Sequence, residues 1–405
     1  MVDRPLYRGL WRELTRHPRM VFLDGPRRVG KTTLGRMIGE AYPNRVYLNG
    51  EDPAERARLI RHPRFFEEVE RVDESTPLVF LDEFNRYRGW RRFLKSAFDR
   101  AGGGTQFLVA GSSRLDQARH GDSLAGRYYL LRLWPFTVAE LAGGRRSAEE
   151  FFAEPLAVGM EGKNERRGIW RGLSEQSGFP EPFLSGRKTA WRRWSAAYGE
   201  QLIREDIRDL TAIKAIAELE TLFELLPAQV GRPVAIPALA QGLQIAYNTV
   251  ASWLATLERF FLIFSLTPWW RGVPRAVREG RKVYLFDTPR VADPEGRFEN
   301  LVALELARAV STWNEAGYGR FALHYLRTKD RLEVDFVLVN EGRPILLVEA
   351  GGGPAEPSPA MLKFQGQLQV PAVRLVPEAE GYRRVKNEGH IALVAPACQW
   401  LAGLP

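Results

Sequence analysis

Nine consecutive residues, Gly25-Pro26-Arg27-Arg28-Val29-Gly30-Lys31-Thr32-Thr33, have the types and spacing needed to hold a polyphosphate. They fit the pattern G-x-x-x-x-G-K-[ST], in which glycines let backbone amides turn toward phosphate oxygens. Lys31 can reach the terminal phosphates, and the Thr32 hydroxyl can ligate Mg²⁺. Asp82 and Glu83 follow the apolar run Leu78–Leu81. A carboxylate at a strand's C-terminal edge can complete a magnesium shell, and a second can polarise an attacking water. Asp82 is therefore the expected metal ligand and Glu83 the expected base. Ser112 follows a third apolar run, Thr105–Ala110, and is the expected sensor of the γ-phosphate. The plain alternative for Ser112, or for its neighbour Ser113, is a helix cap. Arg127 precedes the β-like run YYLLRLW. It is the expected arginine finger, in cis or from a neighbouring copy, with a surface cation as the alternative.

A second set of acids lies far along the chain. Glu299 sits in an amphipathic helical pattern, Asp335 in the strand-like EVDFVLVN, and Glu349 at the end of PILLVEA. Metal-assisted phosphodiester cleavage needs carboxylates converging on Mg²⁺ and a lysine to activate water. Two residues past Glu349, however, the chain reads Gly351. Three readings compete. The centre is dead and the module survives as a scaffold; or a lysine from elsewhere, Lys363 or Lys329, takes over; or the acids are solvated strand ends that meet no metal.

The elements that must position these groups are legible as a strand–loop–helix over residues 20–41 and as strands ending at Leu81 and Ala110. Residues 142–186 read as a loose linker, with GMEGKNERRGIW its least structured part and deletable. RKTAWRRWSAAYGEQLIREDIRDL is a basic helix carrying Trp191, Trp194 and Tyr198. Its aromatics either bury or stack on nucleic-acid bases. Three helical patterns and the strand-like FFLIFSL follow, in the order of a winged helix-turn-helix. That order would turn Tyr247, Asn248, Thr249 and Ser252 toward DNA, with Arg271–Lys282 available for phosphates. Alternating strands and helices then run to the C-terminus.

Taken in order, GPRRVGKTT, VFLDEFNR, AGSSRLD and SLAGRYYLLRLWPFTVAEL resemble the AAA-type ATPases of bacteria and archaea whose C-terminal half is a restriction-endonuclease-like module. The resemblance implies ATP and Mg²⁺ as cofactors, ATP rather than GTP. It also implies an α/β protein of four parts. These are a P-loop ATPase domain with an AAA-like parallel sheet over 1–141, a helical connector over 142–210, a winged-helix segment over 211–275 and an endonuclease-like α/β domain over 276–405.

Lys and Arg outnumber Asp and Glu by 58 to 49, a net +9 that favours a polyanion such as double-stranded or branched DNA. A lone Cys398 excludes a disulfide framework, and five scattered histidines give no zinc spacing. The N-terminal residues lack the apolar core of a signal peptide, and no apolar run reaches the ~18 residues of a membrane span. The expectation is a cytoplasmic, DNA-associated ATPase, with a homo-oligomer required if the arginine acts in trans. The alternatives are an ATP-regulated nuclease and a nucleotide-gated protein-interaction switch.

Overall fold

The computed structural model describes residues 2–405 except 88, 112–123, 145, 209, 210, 212, 278, 279, 354, 355 and 388. The chain divides into two compact units, Met1–Trp134 and Pro135–Pro405.

The first unit is built on five parallel strands: β1 (Met20–Asp24), β2 (Arg45–Asn49), β3 (Leu78–Asp82), β4 (Gln106–Ala110) and β5 (Tyr128–Arg132). Their order is β2-β3-β4-β1-β5. Every residue of β1, β3 and β4 is buried, which explains their unbroken apolar runs: helices cover both faces of a parallel sheet. The helix Lys31–Gly39 follows β1 and packs close because Gly35 has no side chain; a Cβ there would lie 2.3 Å from the Phe80 ring.

The second unit begins at Pro135, seven residues before the expected start at 142, because the chain after Trp134 packs into this unit. Phe136 donates its backbone N–H to the Gly178 carbonyl, and Val138 donates to Glu305. The expected linker is a correction. Residues 142–186 contain helices Ala148–Ala153, Lys163–Gln176 and Pro180–Ser185. Trp170 and Leu173 of the middle helix are buried, with the Trp170 ring edge-on to Phe298 at 5.6 Å. Glycine and charge on its outer face hid the helix. The basic helix Lys188–Gln201 puts Trp194 and Tyr198 into the core, stacked on each other at 4.6 Å and against Phe179. Those two rings are packing groups and not base platforms.

Helices Ile216–Leu225, Ile236–Leu243 and Tyr247–Arg259 correspond to the three helical patterns, the first starting two residues before the expected Glu218 and ending three before the expected Ala228. The strand after them, β6 (Ile263–Trp269), pairs antiparallel with β7 (Lys282–Leu285) and parallel with β8 (Phe321–Arg327). It thereby joins β9 (Glu333–Asn340), β10 (Arg343–Ala350), β11 (Ala372–Val376), β12 (Arg383–Asn387) and β13 (His390–Pro396) in one eight-stranded sheet. The order is β12-β13-β11-β10-β9-β8-β6-β7. The expected boundary at 275 thus falls between two paired strands of one sheet. The long helix Pro294–Glu315 and the helix Pro359–Leu368 pack on this sheet.

One buried acid of this unit gives a pH prediction. Glu305 has no exposure and accepts from the Val138 N–H at 2.7 Å. Burial pushes its carboxyl from the ordinary 4.5 up to about 8. The folded chain keeps that proton in a window where the unfolded chain has released it, so stability falls as pH rises between about 4.5 and 8. Glu305→Gln is neutral throughout and is expected to flatten this dependence. Melting curves of both proteins at several pH values check it; parallel curves would contradict it.

Candidate functional site

In the first sheet only β4 separates β1 from β3, so the loop after β1 and the acid ending β3 open on the same edge. The loop turns at Gly25, where φ is +146° and a Cβ would lie 2.3 Å from the Leu133 carbonyl oxygen. No other residue fits there. Gly30, at φ +101°, starts the Lys31–Gly39 helix, and Arg28 also holds a left-handed conformation at φ 61°. Left-handed backbone at a non-glycine residue is a strained arrangement that persists where surroundings enforce it. Pro26 and Val29 are buried beneath the loop, whereas Arg27 is half-buried and Arg28 and Thr33 are exposed. Arg4, itself buried, donates to the Val29 carbonyl at 3.4 Å and to the Trp134 carbonyl at 2.8 Å. It ties the loop to the end of the unit, a role that only tertiary structure reveals.

Lys31 donates from Nζ to the carbonyls of Gly25 (3.0 Å) and Pro26 (2.8 Å). Its ammonium is folded back onto the loop that it would leave on meeting a phosphate. Burial pulls its pKa below the ordinary value, opposed by the carboxylates of Glu83, Asp24 and Asp82. Thr32 donates from Oγ1 to Asp82 Oδ2 at 2.7 Å. Tyr47, on the neighbouring β2, donates to the same oxygen at 3.0 Å. The other oxygen, Oδ1, accepts the Glu83 N–H at 3.1 Å. Burial pushes the Asp82 carboxyl up, with the Thr32 hydrogen bond opposing. Glu83 has φ 45° and is half-buried, an uncommon backbone for a non-glycine residue at the mouth of a sheet. A hydroxyl and a carboxylate held this close are the hard oxygen donors that suit Mg²⁺, which takes few protein ligands.

Two expected members of the site stand differently. Ser112 and Ser113 lie outside the described residues. Arg127 is not brought to the loop: it precedes β5, at the edge of the sheet opposite the phosphate loop, where its carbonyl accepts from Met20 N at the start of β1. Its guanidinium pairs with Asp99 at 2.7 Å. The arginine at the phosphate-loop edge of the sheet is Arg132, which ends β5 3.7 Å from the buried Asp24. Strand direction separates the two arginines, since in a parallel sheet ligands meet C-terminal strand ends; Arg127 could act only from a neighbouring copy.

In the second unit Glu299, Asp335 and Glu349 are partly or wholly buried, but their partners are cations of the chain. Lys282, fully buried on β7, places Nζ 3.2 Å from Glu299, 2.5 Å from Glu333 and 3.7 Å from Asp335. Burial alone would lower its pKa; the carboxylates of Glu299, Asp335 and Glu333 outweigh that and hold it above the ordinary range. Tyr284 donates to Glu299 at 2.8 Å, and the Ala350 N–H donates to Asp335 at 2.8 Å. Glu349 pairs with Arg374 at 3.3 Å and accepts the Ser358 N–H. A Cβ on Gly351 would lie 2.9 Å from the Arg374 guanidinium, so arginine crowds the space a lysine there would enter. Neither lysine named from the sequence is paired with these acids among the described residues. Lys363 is exposed on its helix, and Lys329 has its backbone N–H on the Arg275 carbonyl. Among the described residues, the ammonium that meets the acids is that of Lys282. No described group of three or more His, Cys, Asp or Glu is placed to hold a metal ion.

Residues 17–142 match the model of an AAA domain, and residues 169–289 match that of a domain of unknown function, DUF8612. Uncharacterised proteins of Mycobacterium bovis and Mycobacterium tuberculosis are each 25% identical over 343 residues, covering 83% of this chain and 70% of theirs. Solved structures with some similarity include the replication initiator DnaA bound to AMPPCP and single-stranded DNA, and AMPPCP-bound DnaA from Aquifex aeolicus. Both are 14% identical with a TM-score of 0.31, covering 63% and 62% of this chain and 86% of each of those chains. With its five-stranded parallel sheet, its glycine loop and its match to the AAA model, the N-terminal unit is a P-loop NTPase domain of AAA type.

Proposed function

We propose that the protein is a Mg²⁺-dependent ATPase acting on DNA, whose C-terminal module is a scaffold and not a nuclease. The observation that carries the ATPase reading is the 2.7 Å contact between Thr32 and Asp82, which joins the phosphate loop to the acid of a separate strand. Bound between them with the triphosphate, Mg²⁺ would neutralise charge developing on the phosphoryl oxygens. Lys31 exchanges its two loop carbonyls for phosphate oxygens, and the loop amides cradle the chain of phosphates. Glu83, beside Asp82, orients the attacking water and takes its proton. Arg132 supplies positive charge from the same edge of the sheet. ATP is favoured over GTP because the N-K-x-D guanine motif is missing from the sequence.

Tyr47 orients the metal ligand without touching substrate. Tyr47→Phe is expected to raise the Mg²⁺ concentration needed for half-maximal turnover by about tenfold, in line with losses of outer-shell partners. A magnesium titration of ATP hydrolysis checks this, and an unchanged midpoint would remove Tyr47 from the site.

The DNA reading is supported by the +9 charge and by the Tyr247–Arg259 helix. That helix buries Val250, Trp253, Leu254 and Leu257 and leaves Tyr247 and Asn248 exposed at its start. The scaffold reading is supported by Lys282 and Arg374, which neutralise Glu299, Asp335 and Glu349 with cations of the chain itself. Incubation with labelled duplex at rising salt, with and without Mg²⁺, tests both halves. The expected result is a salt-sensitive shift with no cleavage. A shift accompanied by metal-dependent cleavage would establish a regulated nuclease, and no shift at any salt would leave a protein-interaction switch. No helix among the described residues is long and apolar enough to cross a membrane.

A further inference from the structure

The second unit contains a cavity of about 730 Å³ with walls from the basic helix, the turn after Leu225 and the start of the long helix. It adjoins the acid cluster, since its lining residues Val230 and Arg232 flank Gly231, where a Cβ would lie 2.7 Å from Glu299. Its volume lies in the range of small-molecule sites, about 300–1,000 Å³. Three arginines from separate segments, Arg192, Arg232 and Arg290, line it.

Their states differ. Arg290 is fixed: it lies over the Phe223 ring at 4.5 Å, donates to Ser195 at 3.2 Å and pairs with Glu224 at 2.5 Å. Its Nε is buried without a hydrogen-bond partner. Arg192 and Arg232 are exposed, and among the described residues neither has a carboxylate partner; Arg232 donates only to the Ala228 carbonyl at 2.9 Å. The two acids on the wall are both engaged, Glu224 by Arg290 and Asp293 by the Gly296 N–H at 2.7 Å. Like charges converging on one cavity repel each other, and an anion relieves that repulsion. Guanidinium groups bind phosphate through paired N–H donors.

Beside the arginines stands a flat apolar surface. Trp191 is held by its indole N–H on the buried Asp287 at 3.0 Å, and the rest of the side chain lines the cavity with Pro227 and Val230. An immobilised indole next to guanidinium groups that lack a carboxylate partner suits a planar base joined to a phosphate.

We infer that this cavity binds a nucleoside phosphate, separately from the phosphate loop, with Arg192 and Arg232 on the phosphate and Trp191 against the base. Free nucleotide and the terminal nucleotide of a strand present the same chemistry. The test uses the full chain carrying Lys31→Ala, which weakens binding at the phosphate loop, so that dependence of the remaining binding on Arg192 and Arg232 reports on this cavity. Mant-labelled ADP and a 5′-phosphorylated single-stranded hexanucleotide are titrated separately without metal. Saturable binding of either is expected, weakened at least tenfold when Arg192→Ala and Arg232→Ala are added. Both side chains are exposed, and a thermal melt confirms that the fold is kept. Tighter binding of mant-ADP identifies a free nucleotide, and tighter binding of the hexanucleotide a strand end. In the otherwise unaltered chain the same two substitutions are expected to remove one equivalent of bound mant-ADP. Loss of neither affinity nor stoichiometry, or no saturable binding of either probe, overturns the assignment.

Discussion

Replacing Lys31 with alanine is expected to abolish measurable ATP turnover and to weaken nucleotide binding by about 10- to 100-fold. The Nζ group now rests on two backbone carbonyls, 3.0 and 2.8 Å away, so it is held within reach of the loop it must serve. A hydrogen bond to a charged partner contributes about 1.5–3 kcal/mol, which sets the binding loss. Turnover suffers further, because the charge on the transferring phosphoryl group grows in the transition state, and loss of one such donor costs about 10²–10³ in rate. Steady-state hydrolysis and calorimetric titration with a non-hydrolysable ATP analogue separate the two effects. Turnover equal to that of the unaltered protein would end the ATPase reading.

Replacing Lys282 with methionine is expected to be the most destabilising single change in the second unit. Its ammonium lies within 4 Å of three carboxylates, Glu299, Glu333 and Asp335, and has no solvent exposure. Removing one partner from a buried ionic group leaves the others uncompensated, at about 3–5 kcal/mol, or a fall in Tm of roughly 10 °C. Two smaller contacts soften the loss: Arg327 also pairs with Glu333, at 2.9 Å, and Tyr284 with Glu299. Double substitution of Lys282→Met with Glu333→Gln is expected to recover part of it. Chemical denaturation measures both. A single variant as stable as the parent would mean that the acids have protons or other partners, and the scaffold reading would lose its main support.

The two sites were not equally legible in the sequence. The phosphate loop could be read because its chemistry is local: a strand, a turn and a helix start contribute Gly25 to Thr33 without a break. Asp82 could be read because a fully buried strand leaves an unbroken apolar run that points to its own end. Tyr47 could not, because β2 is an edge strand with a mixed burial pattern, and only its register with β3 carries the hydroxyl toward Asp82. Arg127 and Arg132 flank the same run, and only the direction of the parallel strand tells which of them stands at the phosphate-loop edge. The acids Glu299, Asp335 and Glu349 could be read as a group, whereas Lys282 could not. It stands on β7, at the far edge of the sheet order, and nothing in its local sequence marks it as the cation among those carboxylates. The Lys163–Gln176 helix was missed because charge and glycine dominate its composition, while Trp170 and Leu173 alone give it a core face.

A crystal structure with a non-hydrolysable ATP analogue and Mg²⁺ tests the account most directly. The predicted result has the Lys31 ammonium withdrawn from the Gly25 and Pro26 carbonyls and placed on phosphate oxygens, with the Thr32–Asp82 hydrogen bond opened by the metal. Phosphates bound elsewhere, or Lys31 and Thr32 unmoved while Asp82 stays out of the metal's reach, would contradict it.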